Sequence, residues 1–165
     1  MFRSFRRIGA LGVSAVAAGA FCAVAAVPAS AADGFEFTVY AKEVPGDQSG
    51  EATGPPPELG DSFAFADDLF RTKGGDRIGR DGVACTVVRA GDPSDVLCVG
   101  TFVFDGGPGG QVTGQAMLTV DPGQEEVSAF DIAVTGGTGD FKDARGTIRS
   151  TPDGDYSRLE FHIGK

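Results

Sequence analysis

From Phe35 the chain alternates between apolar and polar positions. Phe35, Phe37, Val39 and Ala41 fall on one face and Glu36, Thr38, Tyr40 and Lys42 on the other. A period of two marks a half-buried β-strand, because successive side chains leave a strand on opposite sides. Seven further segments read as strands, near residues 61–70, 82–89, 95–104, 111–120, 126–134, 144–150 and 155–163. They are divided by clusters such as Asp92-Pro93-Ser94-Asp95 and Asp121-Pro122-Gly123, whose residues favour turns. Segment 111–120 is the clearest, with Val112, Ala116, Leu118 and Val120 on one face and Gln111, Thr113, Gln115 and Thr119 on the other. Between the first two strands, Val44 to Gly60 contains Pro55-Pro56-Pro57 and no periodicity, which predicts a long loop. No segment beyond residue 31 sustains a helical period, so a parallel βαβ architecture is not expected. Eight sequential strands match the count at which an antiparallel sheet closes into a small barrel around one ligand. The predicted fold class is therefore all-β, an eight-stranded antiparallel β-barrel. A two-sheet sandwich has the same periodicity and stands as the alternative.

The first 31 residues differ in kind. Arg3, Arg6 and Arg7 make a positive end, Ile8 to Val27 is apolar and rich in small residues, and Ala29-Ser30-Ala31 forms an A-x-A site. This is the three-part pattern of a secretory signal peptide. Cleavage after Ala31 would leave one domain, residues 32–165, outside the cell and free of the membrane. The apolar run is long enough to span a bilayer, but it is built mostly of Ala and Gly. Cys22 follows Phe21, where a lipoprotein signal would have a small residue.

Charge narrows the partners. The whole chain carries 14 Lys+Arg against 23 Asp+Glu, a formal −9. Three of the cations and none of the acids lie in the first 31 residues, so the remainder stands at −12. Such a surface repels nucleic acid and anionic membranes. With a single histidine, His162, no site needing two imidazoles is possible, and Cys85, Cys98 and His162 are explained more simply without zinc. The Asp-rich turns, such as Asp153-Gly154-Asp155, lack a calcium loop with a closing Glu. No metal and no cofactor is expected.

Three stretches carry a resemblance. They are Gly60-Asp61-Ser62-Phe63-Ala64-Phe65-Ala66-Asp67-Asp68-Leu69, then Ile78-Gly79-Arg80-Asp81-Gly82, then Val134-Thr135-Gly136-Gly137-Thr138-Gly139-Asp140-Phe141 with Ala144-Arg145-Gly146. In order and spacing they resemble the plant dirigent proteins and the related allene oxide cyclases. The strongest piece is G-G-T-G-x-F-x-x-A-R-G. The resemblance implies an eight-stranded barrel whose interior holds a small apolar or phenolic molecule, in a homodimer or homotrimer. The export signal and the absence of Asn suggest a secreted bacterial relative. Read physically, Gly136, Gly137 and Gly139 suit a tight connection between strands, with Phe141 folding back over the barrel end. A phosphate cradle would need a helix after the loop, and a strand-like segment follows instead.

Asp67 is the leading catalytic candidate. It shares a strand face with Phe63, Phe65 and Leu69, so an inward face would set a carboxyl group among aromatic walls, where desolvation suits it to proton transfer. The alternative is a solvated turn begun by Asp67 and Asp68. In the resemblance Phe65 matches an aromatic lining residue of the cyclases. Asp67 stands where they carry an Asn that holds a water and where dirigent proteins tend to have an acid. Phe37 and Val39 are expected to line the ligand space from the first strand. Glu43 ends their face, at the same mouth or as an exposed loop acid. The strand-one Glu of the cyclases would fall on Ala41, which argues against their reaction. Arg145, matched by an Arg of the dirigent pattern, is the second catalytic candidate. It would neutralise a buried acid or orient a ligand oxygen, or else brace the barrel.

A hairpin centred between Gly91 and Asp92 sets Cys85 opposite Cys98, close enough for a disulfide in an oxidising compartment. Against this, the cyclases carry a pocket-lining Cys near position 85, which would make Cys85 a free thiol. The functional expectation is a small-ligand barrel acting as a cofactor-free cyclase or isomerase. A carrier without turnover and an interaction scaffold are the alternatives.

Overall fold

In a computed structural model, residues 34–46, 57–121 and 128–164 are described. The export segment with Cys22, residues 47–56 of the long loop and the first residues of the strand expected at 126 lie outside them. The elements are β1 (Phe35–Glu43), β2 (Ser62–Phe65), β3 (Asp67–Phe70), β4 (Arg77–Arg89), β5 (Ser94–Phe104), β6 (Gly110–Val120), β7 (Phe130–Gly139), β8 (Arg145–Asp153) and β9 (Tyr156–Gly164). Around the ring the order is β4-β3-β1-β9-β8-β7-β6-β5, and a β4–β5 pairing closes it. β2 extends the β3 position along β4, so nine segments make an eight-position antiparallel barrel. Closure decides against the sandwich. No described segment is helical, and no helix among the described residues is long and apolar enough to cross a membrane.

The expected strand 61–70 is broken at Ala66, and the reason lies in one side chain. Pairs on both sides of the break keep one register, Phe65 opposite Val83 and Asp68 opposite Arg80, which sets Asp67 opposite Asp81. There the Asp67 amide donates to the Asp81 carboxyl Oδ1 at 3.0 Å instead of entering the ladder. The Ala66 carbonyl turns the other way and accepts from the Val44 amide at 2.9 Å.

Two more boundaries differ from expectation. β4 starts at Arg77 rather than near 82. β7 runs on through Gly136 and Gly137 to Gly139, paired with β6, so the glycine run is strand and not turn. A Cβ on Gly137 would come within 2.6 Å of the carbonyl oxygens of both Phe141 and Gln111, a close approach only glycine permits. Gly139, at φ 63°, is where the chain leaves the strand for the turn to Ala144.

That turn carries Phe141 into the barrel end. Phe141 is fully buried against Phe35, Phe37 and Phe104, with ring centroids 5.0–6.2 Å apart. Phe37 stacks on Phe161 at 4.6 Å, and Phe102 and Phe104 meet Phe161 edge-on. Leu69, Ile148 and Ile163 complete this core. Each such ring contributes about 1.5–3 kcal/mol by burial and roughly 0.5–1.5 kcal/mol more per well-placed aromatic pair. On β4 and β5, Cys85 and Cys98 are register partners and form a disulfide, with Cα atoms 4.1 Å apart.

Candidate functional site

The other half of the barrel interior is hollow. A cavity of about 320 Å³ lies between the aromatic core and the mouth. Small side chains at inward positions make it: Ala41 on β1, Gly100 on β5, Gly114 and Ala116 on β6. Phe102 forms part of its floor, the Cys85–Cys98 disulfide part of its wall, and Phe63 and Phe65, 50 % and 38 % exposed, its aromatic rim.

Two carboxyl groups enter this apolar space, Asp67 from β3 and Asp81 from β4. Asp81 is only 6 % exposed. Burial, and then the neighbouring Asp67 charge, pushes its pKa up to about 8. Burial also raises Asp67; the hydrogen bond from Asp81 works against the rise, while Glu43 and Asp68 add to it. Two like charges in one desolvated site cannot both form cheaply. The pair is therefore suited to hold one proton between its two carboxyl groups, with Asp81 placed to keep it at neutral pH. That arrangement can take a proton at one point of a ligand and return one at another.

The remaining predicted residues fall in different places. Phe65 lines the cavity with Asp67. Glu43 is exposed and outside the cavity lining, but as the register partner of Asp67 it acts on its charge. Phe37 and Val39 belong to the aromatic core and border a separate groove at that end of the barrel. Arg145 begins β8 opposite Gly164, at the end of that strand away from the cavity-lining Ser150 and Pro152. Its Nη1 donates to the Ala144 carbonyl at 2.6 Å, and it is not brought to Asp67. His162 is exposed, 3.6 Å from Glu36. Among the described residues no cluster of His, Cys, Asp and Glu has the form of a metal site.

Asp81 is the residue that sequence reasoning missed. Its signal was present: it alternates with Gly79, Val83, Cys85 and Val87 on the inward face of β4. Flanking Gly79 and Gly82 gave the segment the look of a connection, which hid that phase.

No family model and no curated protein matches the sequence. Solved structures with the same barrel do. A pyocyanin demethylase aligns at 22 % identity with a TM-score of 0.60, over 78 % of this chain and 99 % of its own. Two pterocarpan synthase dirigent proteins align at 19 % and 17 % identity with TM-scores of 0.55 and 0.56. Each alignment covers 80 % of this chain, and 88 % and 94 % of theirs. The chain folds as a dirigent-like barrel.

Proposed function

We propose that this barrel binds a small, flat, hydrophobic or phenolic molecule and isomerises or cyclises it without a cofactor. The observation that carries the reading is a pair of adjacent carboxyl groups, both raised by burial, inside a mostly apolar cavity. The Asp67 anion would accept a proton from the ligand while Asp81 delivers one to a second atom. Proton passage from Asp67 back to Asp81 through their hydrogen bond then restores the pair, so the reaction is proton-neutral. Walls of Phe63, Phe65 and Phe102 would hold the ligand in one conformation and lower the entropic part of the barrier. Neighbours of the fold named for pterocarpan synthesis and pyocyanin demethylation support a small-molecule role. Arg145 has no part in this scheme.

Native mass spectrometry of residues 32–165 against a panel of one- to three-ring phenols tests the binding. For a compound that binds, Asp67→Asn should retain binding and melting temperature while turnover falls by about 10²-fold or more, the worth of a positioned acid–base group. Full turnover in Asp67→Asn together with lost stability overturns the assignment. Recovery of every bound compound unchanged by wild-type protein favours a carrier.

The same reading includes export and self-association. The disulfide is consistent with an extracellular protein, and protein from culture medium should begin within a residue or two of Ala32. Recovery only as a full-length membrane-bound chain overturns export. The outer face of β4, β5 and β6 exposes Ala84, Val99 and Met117 with no charge between them, an arrangement suited to a second copy of an acidic protein. Met117→Lys should return a dimer or trimer to monomer in light scattering.

A further inference from the structure

The cavity has a second polar pole. Ser150 on β8 lines it, and in the ring β8 stands four positions from β4 in either direction, so Ser150 faces Asp81 from the opposed wall. Ser150 is 6 % exposed, and its hydroxyl makes no hydrogen bond to any described residue. It is not sealed in protein either, since no buried polar side-chain atom is left without a partner. The hydroxyl therefore opens onto the cavity. On its inner side the inward face of β8 and β9 is apolar, with Ile148, Leu159 and Phe161, and on its outer side Pro152 and its register partner Ser157 also line the cavity. A partnerless hydroxyl in such surroundings forfeits about the free energy of one hydrogen bond, which a ligand atom would restore.

Taking the small-ligand reading above as its basis, we infer that the ligand is polar at both ends. One donor group meets the Asp67–Asp81 pair and a second oxygen or nitrogen, at the far end of a flat apolar body, meets Ser150. Ser150 is then a specificity-determining residue that sets which way round the ligand lies. The carboxyl pair alone would hold a ligand with one polar group and leave its far end unguided. With both poles engaged, one of the ligand's two functional groups is presented to the proton pair in a fixed orientation.

Three fluorescent probes separate the possibilities: 2-naphthol, 2,3-dihydroxynaphthalene and 2,6-dihydroxynaphthalene, titrated into wild-type protein and Ser150→Ala. The two diols are isomers of the same size and differ in whether the hydroxyls share an end. Wild-type protein should bind the 2,6-diol roughly tenfold more tightly than either other probe, the worth of one added hydrogen bond to an unpaired hydroxyl. Ser150→Ala should lose that preference and keep its affinity for 2-naphthol, which also reports that the variant is folded. If 2-naphthol binds but the diols are not distinguished, or the preference survives in Ser150→Ala, Ser150 is not the second pole and the cavity reading stands. If none of the three binds, the small-ligand reading fails and takes the inference with it.

Discussion

At one end of the barrel Phe37, Phe104, Val112 and Ile148 fill the interior, while further along the same strands Ala41, Gly100, Ala116 and Ser150 leave a cavity. Backbone, pairing and closure are shared by the two halves; side-chain volume is what differs. The filled half supplies dispersion and apolar burial. The hollow half forgoes them, and in that space it buries two carboxyl groups that stability alone would exclude. Packing and the proposed chemistry are thus separated along the barrel axis, so a substitution should act according to its height on a strand.

The largest expected effect lies in the filled half. Phe161→Ala removes the ring on which Phe37 stacks and should cost about 3–5 kcal/mol, read from chemical denaturation. A loss under about 1 kcal/mol would show that half to be loosely packed and erase the contrast. Next is the wall. Removing the disulfide by Cys85→Ser with Cys98→Ser should cost at most about 3 kcal/mol, and less if the β4–β5 pairing already holds the ends together. A ligand-binding defect with little loss of stability would instead assign the disulfide to the cavity's shape.

The carboxyl pair comes third, and its sign is opposite to that of an ordinary surface acid. Asp81 is raised from 3.8 to about 8 in the folded protein, so the fold holds a proton that the unfolded chain has released. Stability from this proton is full below 3.8 and is lost as pH rises to about 8, with a slope of at most about 1.4 kcal/mol per pH unit. Asp81→Asn should flatten that slope and, at pH 8, stabilise the protein by about 1–3 kcal/mol. An unchanged profile would mean that the pair does not share a proton. The smallest effect is the sharpest comparison: Ala116→Leu, filling the cavity, should change stability by less than about 1 kcal/mol and abolish binding. Val112→Phe, on the same strand in the filled half, should cost about 1–3 kcal/mol through overpacking.

Periodicity made the strands legible and, for β6, the inward face residue by residue. It could not make the height along the axis legible, because that depends on the stagger between strands. Phe37 and Val39 share a face with Ala41, yet only Ala41 reaches the cavity. Likewise Gly136 and Gly137 read as a turn, since a sequence does not distinguish a glycine needed for positive φ from one needed for close backbone approach. Cys85 and Cys98 were legible because their pairing needs only one local hairpin. Asp81 was not, because its partner Asp67 reaches it through the β3–β4 pairing, whose bulge at Leu69 and Phe70 obscures the register from either segment alone.

The interrupted ladder at Asp67 gives the barrel wall an indicator of its own. An amide that donates to a carboxyl oxygen rather than to a peptide carbonyl has its shielding set by whether that carboxyl is charged. In a ¹⁵N-labelled sample the Asp67 resonance should therefore move with pH as Asp81 titrates, and move again if a bound ligand changes the charge of that carboxyl. Occupancy and protonation of the cavity can then be followed from a backbone signal, with no chromophore in the ligand and no substitution in the site.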